Sequence, residues 1–176
     1  MTLKAVIVSA LVVGLMLSAP PPAAAQDAVI RRVLVDVCLP YARRSQSFEK
    51  SIRAARDLGF RRPVGDNAPL EEWASEVDLL SMDGSWRLRI EEGTIEEGES
   101  QTYAVGCVIS SRRASARELA DLGRRAFNDD RYWTTPQDNP WRWDRRTSRP
   151  HEYGLAAEVS EKAGDRPTLT IKGEYR

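Results

Sequence analysis

The fold of this chain is decided by residues 86–110, which read WRLRIEEGTIEEGESQTYAVGCVIS. At the start of this stretch Trp86, Leu88 and Ile90 alternate with arginines, and from Tyr103 onward apolar residues again occupy every second position. Successive side chains of a strand point to opposite faces, so each end of the stretch predicts a half-buried strand. The segment between them predicts the connection of a long hairpin.

The connection of this hairpin is acidic. Five glutamates fall within nine positions around two glycines, namely Glu91, Glu92, Glu96, Glu97 and Glu99. A calcium loop needs oxygen ligands at alternating positions around a fixed turn, and this order of residues does not supply them. We therefore expect a solvated connection and no metal ion.

Two helices are predicted before this hairpin. Over residues 30–41 the apolar positions follow one helix face, and Pro40 should end or bend that helix. A second helix starts after the serines of 45–47 and stops at Gly59, since glycine tolerates the left-handed conformation of a helix end. Basic residues crowd the outer sides of these helices, namely Arg43, Arg44, Lys50, Arg53 and Arg56. They could form a patch for an anionic partner, but we favour a solvated helix face.

The second half of the chain predicts one helix followed by a second hairpin. Ser115 and Glu118 have the spacing of a capping box and predict a third helix. A second hairpin follows, in which residues 153–159 and 169–171 alternate on either side of a turn at Gly164.

These elements predict an α+β fold. Residues 70–82 are ambiguous between a short helix and a helix followed by a strand, and residues 128–151 are interpreted as irregular. Strands that are joined by short turns pair antiparallel, so we expect a mostly antiparallel sheet of about four strands with two or three helices packed on one face. Residues 26–176 have the length of a single domain.

Residues 1–25 have the pattern of a secretory signal peptide. Lys4 gives a basic start, residues 5–17 are an apolar run, and the small residues that follow suit cleavage after Ala25. The apolar run is shorter than the roughly 20 residues that cross a bilayer, so we expect no membrane span in the mature chain. Only four of the 26 basic residues are lysine, which favours a bacterial source with a GC-rich genome. We therefore predict a periplasmic, or secreted, protein.

The charges of the chain give no case for a nucleic-acid partner. The 26 basic and 26 acidic residues give a formal net charge of zero. No cofactor motif is present, and we expect a monomer without a cofactor.

The only two cysteines are Cys38 and Cys107. Cys38 lies on the apolar stripe of the first helix, and Cys107 lies on the apolar side of a strand, so the two can meet where the helix packs on the sheet. In an exported protein this pair predicts one structural disulfide. Two cysteines 69 positions apart do not form a redox motif, and with one histidine they provide too few ligands for a metal site.

Catalytic residues are not indicated. His151, the only histidine, lies beside Glu152, but neighbouring residues of a strand point to opposite faces and would not form a base with its orienting acid. An alternative is an envelope hydrolase that cleaves glycan or peptidoglycan through paired carboxylates. Its candidate acids are Glu71, Glu72, Glu76, Asp78 and Asp83.

Residues 131–146 are the most unusual segment, since they combine aromatic residues, arginines and two prolines. The candidate binding residues are Trp133, Trp141, Arg142, Trp143, Arg145 and Arg146. Tryptophan and arginine dominate binding hot spots, and aromatic faces stack on sugar rings. The alternative is that the tryptophans cover the sheet or its edge. From this segment we predict a non-catalytic binding role in the cell envelope, with an envelope protein or a glycan as the partner.

Overall fold

A computed structural model of the chain describes residues 23–65, 75–97, 100–128, 132–145, 152–161 and 165–175. Within these residues the strands form one antiparallel sheet of seven. They are β1 (Glu76–Leu80), β2 (Trp86–Glu97), β3 (Ser100–Ser111), β4 (Trp133–Thr134), β5 (Arg142–Arg145), β6 (Glu152–Ser160) and β7 (Thr168–Tyr175). Their order across the sheet is β1-β2-β3-β7-β6-β5-β4.

The predicted number of about four strands is therefore wrong. The ambiguous residues 70–82 contain β1, and the residues interpreted as irregular contain β4 and β5. These last two strands have two and four residues, too few for an alternating pattern to emerge from the sequence. They exist because they pair edge to edge with longer neighbours: β4 pairs with β5, and β5 pairs with β6.

Both predicted hairpins are confirmed. β2 pairs with β3 along the whole of both strands, with Ile90 opposite Cys107, and β6 pairs with β7. β3 also pairs with β7, which joins the two hairpins at the centre of the sheet.

The helices are α1 (Ala23–Arg32), α2 (Leu39–Ala42), α3 (Phe48–Asp57) and α4 (Ala116–Phe127), and a π-helical segment, Val33–Cys38, joins α1 to α2. Pro40 lies inside this continuous helix and does not end it. Proline lacks an N–H group and its ring presses on the carbonyl four residues earlier. The wider π-helical turn before Pro40, closed by a bond from the N–H of Leu39 to the carbonyl of Leu34, accommodates it.

The predicted ends of the other helices are confirmed. Ser47 caps α3 by accepting a bond from the N–H of Lys50, and Gly59 after it has a φ of 91°. Ser115 and Glu118 form the complete capping box of α4.

The two faces of the sheet differ. On the helix face, apolar side chains of the strands form the core with the helices; from the central strands they include Leu88, Ile90, Val105, Ile109, Leu169 and Ile171. The opposite face we call the open face, because no described helix contributes to it. Its side chains are mostly polar or small and include Asp78, Arg87, Arg89, Val108, Ser110, Arg142, Asp144, Ala156, Glu158, Ser160, Thr168, Thr170, Lys172 and Glu174.

A disulfide joins Cys38 to Cys107 inside the core, as predicted. Their Cα atoms are 5.3 Å apart, and both residues are fully buried. The bond fixes the first helix to the central strand β3. In the described part of the chain, no helix is long and apolar enough to cross a membrane.

Several predicted features lie outside the described residues. They are residues 1–22 of the predicted signal peptide, Glu71, Glu72, Glu99, Arg146, His151 and Gly164.

Candidate functional site

The predicted binding segment turns two of its tryptophans into the core. Trp143 is 1% exposed and Trp133 is 8% exposed, whereas Trp141 is partly buried. The ring of Trp143 lies directly against Gly123 of α4, where a Cβ atom would come within 2.8 Å of it. Both buried rings contact Phe127. Trp133 and Trp143 are therefore core residues on the helix side of the sheet, so the candidate surface has to be built from other residues.

The arginines of the same segment separate between the two sides of the sheet. Arg142 lies on the open face, where its Nε donates to Asp144 at 2.8 Å and its Nη1 is 3.6 Å from a carboxylate oxygen of Glu158. Arg145 lies on the other side, with its guanidinium 5.9 Å from the ring centroid of Trp133. Among the predicted binding residues that the structure describes, Arg142 is thus the one that belongs to the open face.

The open face contains a broad depression over β5, β6 and β7. Its volume is about 650 Å³. Small residues, Gly154 and Ala156, form part of its lining, and the charged side chains of Arg142, Lys172 and Glu174 border it. Because small side chains leave the backbone of the sheet accessible, a ligand chain could approach it closely here.

Most charges that border the open face are already paired with each other. Asp78 accepts hydrogen bonds from Arg87 at 2.9 Å and from Arg89 at 3.3 Å. The bond from Arg87 is the main reason why the pKa of Asp78 lies below its usual value. Lys172 forms an ion pair with Glu174. The face therefore offers fixed polar groups of both signs.

No protein-family model matches this chain, and no curated protein or solved structure is significantly similar to it. What the protein binds has to follow from the chemistry of its own surfaces. The polar, concave surfaces of the described residues include the open face and a smaller pocket at one end of the helix face.

This smaller pocket, which we call the tyrosine pocket, has a volume of about 360 Å³ and is lined by Tyr41, Arg44, Gln46, Glu92 and Tyr103, among others. The hydroxyl of Tyr41 donates to a carboxylate oxygen of Glu92 at 2.9 Å. Burial raises the pKa of Tyr41 well above its usual value and that of Tyr103 to about 12, and a hydrogen bond to Glu92 contributes in both cases. No sequence motif connects these residues: Arg44 was assigned to the basic patch of the helices, and Glu92 to the acidic connection of the first hairpin.

Two of the acids proposed for a hydrolase, Asp78 and Asp83, are not poised as proton donors. A general acid needs a carboxyl group that holds its proton near neutral pH. Arginine bonds lower the pKa of Asp78, and hydrogen bonds, first of all from Ser81, lower that of Asp83 to about 2. Across the described ranges, no group of three histidine, cysteine, aspartate or glutamate side chains could hold a metal ion.

Proposed function

We propose that this chain is an exported domain of the cell envelope that binds a neutral, hydroxyl-rich chain, namely a glycan strand, on its open face without cleaving it. The observation that carries the proposal is the open face itself. It extends over a seven-stranded sheet, no described helix covers it, and it contains a polar depression of about 650 Å³. Pockets of this size accommodate ligands of several hundred daltons.

The charges of the open face favour a neutral partner. Basic side chains in the described part of the open face, such as Arg89 or Arg142, have an acidic neighbour within ion-pair distance. A strongly anionic or cationic chain would meet about as many repulsive as attractive groups and would gain little. Hydroxyl groups both donate and accept hydrogen bonds, so a polyol can use groups of both signs.

The hydrogen-bonding groups are held in place before a ligand arrives. The ion pairs of Arg142 use Nε and Nη1, which leaves its Nη2 without a partner among the described residues. The hydroxyls of Ser160 and Thr168 lie 2.9 Å apart on the same face. Fixed donors and acceptors lower the entropy that binding would otherwise cost.

The binding mode is one of hydrogen bonds rather than ring stacking. The described part of the open face carries no aromatic side chain, because the tryptophans of β4 and β5 point into the core. Affinity for a single sugar should therefore be weak. A strand that crosses several β-strands adds contacts, so affinity should increase with the length of the glycan.

The test is co-sedimentation with insoluble cell-wall sacculi. The full chain is expressed with its own N-terminal segment, recovered from the envelope fraction and mixed with the sacculi. A variant with Arg142→Ala and Lys172→Ala should show about tenfold weaker retention than the parent, because it loses two charged hydrogen-bonding groups. The matched control, Arg112→Ala with Arg117→Ala, changes the charge equally at exposed positions outside the open face and should be retained like the parent.

Two outcomes contradict the proposal. If the parent stays in the supernatant, or if both double variants are retained equally, the open face is not the binding surface. If the parent releases soluble sugar fragments, the hydrolase alternative holds instead.

Export is the second part of the proposal. It is supported by the signal-peptide pattern of residues 1–25 and by the disulfide, which needs an oxidising compartment. The first two residues after the predicted cleavage point also contact the domain: Gln26 donates to Asp83 at 2.9 Å, and Asp27 pairs with Arg125 at 3.0 Å. Intact-mass analysis of the protein from the envelope fraction should give a chain that begins at Gln26. A chain that keeps residues 1–25 and is recovered with the cytoplasm would refute export.

A further inference from the structure

Arg44 has an unusual backbone conformation. Its φ of 52° makes it the one non-glycine residue with a positive φ in the described part of the chain. A residue with a Cβ atom adopts this conformation at an energetic cost, and such positions cluster at functional sites. Its guanidinium lies 4.8 Å from the ring centroid of Tyr103 and 5.4 Å from that of Tyr175. The side chain is thus fixed against two aromatic rings.

The surrounding packing holds this conformation. The hydroxyl of Tyr175 donates to the carbonyl of Ala42 at the end of α2, and a Cβ atom at Gly173 would collide with the same carbonyl. The N–H of Arg44 then donates to the carbonyl of Tyr41 at 2.8 Å. The turn after α2 therefore packs against β7, and this packing places Arg44 at the tyrosine pocket.

The pocket contains polar groups that lack partners. The described residues place no carboxylate within ion-pair distance of the Arg44 guanidinium, and the Nε2 atom of Gln46 is buried without a hydrogen-bond partner. The buried Gln46 donor is costly without a partner, and Arg44 is exposed, so both groups suit a ligand that accepts hydrogen bonds. A carboxylate on the ligand would satisfy them together.

Glu92 provides the opposite charge in the same pocket. One of its carboxylate oxygens accepts from the hydroxyl of Tyr41, and Glu92 lines the same pocket as Tyr103, the residue whose ring Arg44 covers. Arg44 thus lies over the ring of Tyr103, and Glu92 lines the same pocket. An ammonium group on the ligand would complete the hydrogen bonding of this carboxylate.

We propose that the tyrosine pocket binds a small zwitterion with a free amino and a free carboxyl group, of the size of an amino acid or a dipeptide. The carboxylate lies against Arg44 and Gln46, and the ammonium lies against Glu92. The volume of about 360 Å³ is at the lower end of the range for ligand pockets and suits this size. The site is separate from the open face and does not depend on the proposed glycan binding.

Calorimetric titration of the full-length exported protein with the dipeptide alanyl-alanine tests the proposal. The dipeptide should bind with a stoichiometry of one. N-acetyl-alanyl-alanine lacks the ammonium group and alanyl-alanine amide lacks the carboxylate, and each should bind at least about tenfold more weakly, the effect of losing one charged hydrogen bond.

Three variants locate the site. Arg44→Asn removes the guanidinium and keeps a residue that tolerates the left-handed conformation, and Glu92→Gln removes the charge at nearly constant shape. Each should weaken binding of the dipeptide at least about tenfold, while Arg53→Gln, at an exposed position of α3, should bind like the parent. Retention on sacculi should be the same for all three variants, which separates this site from the open face.

The proposal is overturned if the parent shows no binding of alanyl-alanine. It is also overturned if the blocked analogues bind as well as the dipeptide, or if Arg44→Asn binds as tightly as the parent. Should Glu92→Gln fail to fold, the two analogues and Arg44→Asn still decide the matter.

Discussion

The two faces of the sheet are built from the same strands but have opposite properties. On β7, Leu169 and Ile171 are fully buried under the helices, whereas Thr170 and Lys172, which alternate with them, belong to the open face. On β5, Trp143 is buried between the neighbouring residues Arg142 and Asp144, which form an ion pair on the other side. The helix face should therefore decide stability, and the open face should be free to vary with function.

Truncation of the core tryptophan should have the largest effect on stability. Trp143→Ala should lower the free energy of unfolding by about 3–5 kcal/mol, because it leaves a cavity against Gly123 and Phe127 and removes the hydrogen bond from its Nε1 to Asn128. Arg142→Ala, its neighbour on the open face, should change the free energy of unfolding by less than about 1 kcal/mol. Thermal melts of both variants beside the parent measure this, and equal losses would show that the faces do not differ.

Removal of the disulfide should have the next largest effect. The double variant Cys38→Ala with Cys107→Ala should lose about 2–4 kcal/mol of unfolding free energy, since its unfolded chain is no longer restricted by the bond. Denaturant titration of the variant and of the parent, oxidised and reduced, measures it. The reduced parent should resemble the variant, and unchanged stability on reduction would argue that the helix face holds together without this bond.

A smaller effect is expected for the cap of the helix that covers Trp143. Ser115→Ala should cost about 1 kcal/mol, because the N–H of Glu118 loses the serine hydroxyl that accepts its hydrogen bond, while the bond from the backbone N–H of residue 115 to the Glu118 carboxylate can remain. Ser160→Ala, on the open face, is the matched control and should be nearly neutral. A cost for Ser160→Ala as large as that for Ser115→Ala would mean that hydroxyls of the open face contribute to the fold.

The smallest effect should come from Asp78, and it should depend on pH. Its pKa is lowered in the folded state by bonds from Arg87 and Arg89, so its stabilisation is present above the unfolded pKa of about 3.9 and is lost as pH falls through the folded pKa. Asp78→Asn should therefore lower the melting temperature slightly at pH 7, and the difference from the parent should shrink below pH 4. A difference that grows in acid would contradict the sign. The loss in Trp143→Ala should persist at both pH values.

The parts of the fold that could be predicted are those in which a pattern repeats. β2, β3, β6 and β7 each alternate over several residues, and the caps of α3 and α4 are local signals that need no knowledge of the rest of the molecule. The disulfide could be predicted because Cys38 lies on the apolar side of its helix and Cys107 lies on the apolar side of its strand. In each case the information lies within one segment of the chain.

The remaining features depend on contacts between distant segments. Trp143 alternates with Arg142 over a strand of only four residues. This pattern was too short to show whether Trp143 is a buried core residue or an exposed binding residue. The tyrosine pocket brings together residues from the end of α2, from β2 and from β3, and Tyr175 from β7 holds its arginine. No spacing in the sequence could indicate that Glu92, one of five glutamates predicted to be solvated, accepts a hydrogen bond from Tyr41.

The pairing of β3 with β7 has a consequence for the order of events during synthesis. β3 lies between β2 and β7, and residues 103–110 find their second partner only in residues 168–175. While the ribosome is still adding β7, the residues of the first hairpin and of the helices have already been synthesised. At that stage β3 has no partner on the side where β7 will pair. Such non-local pairing forms slowly because a long segment must close first. If the chain is exported as proposed, one that leaves the cytoplasm before β7 pairs has no finished sheet to unfold at the membrane.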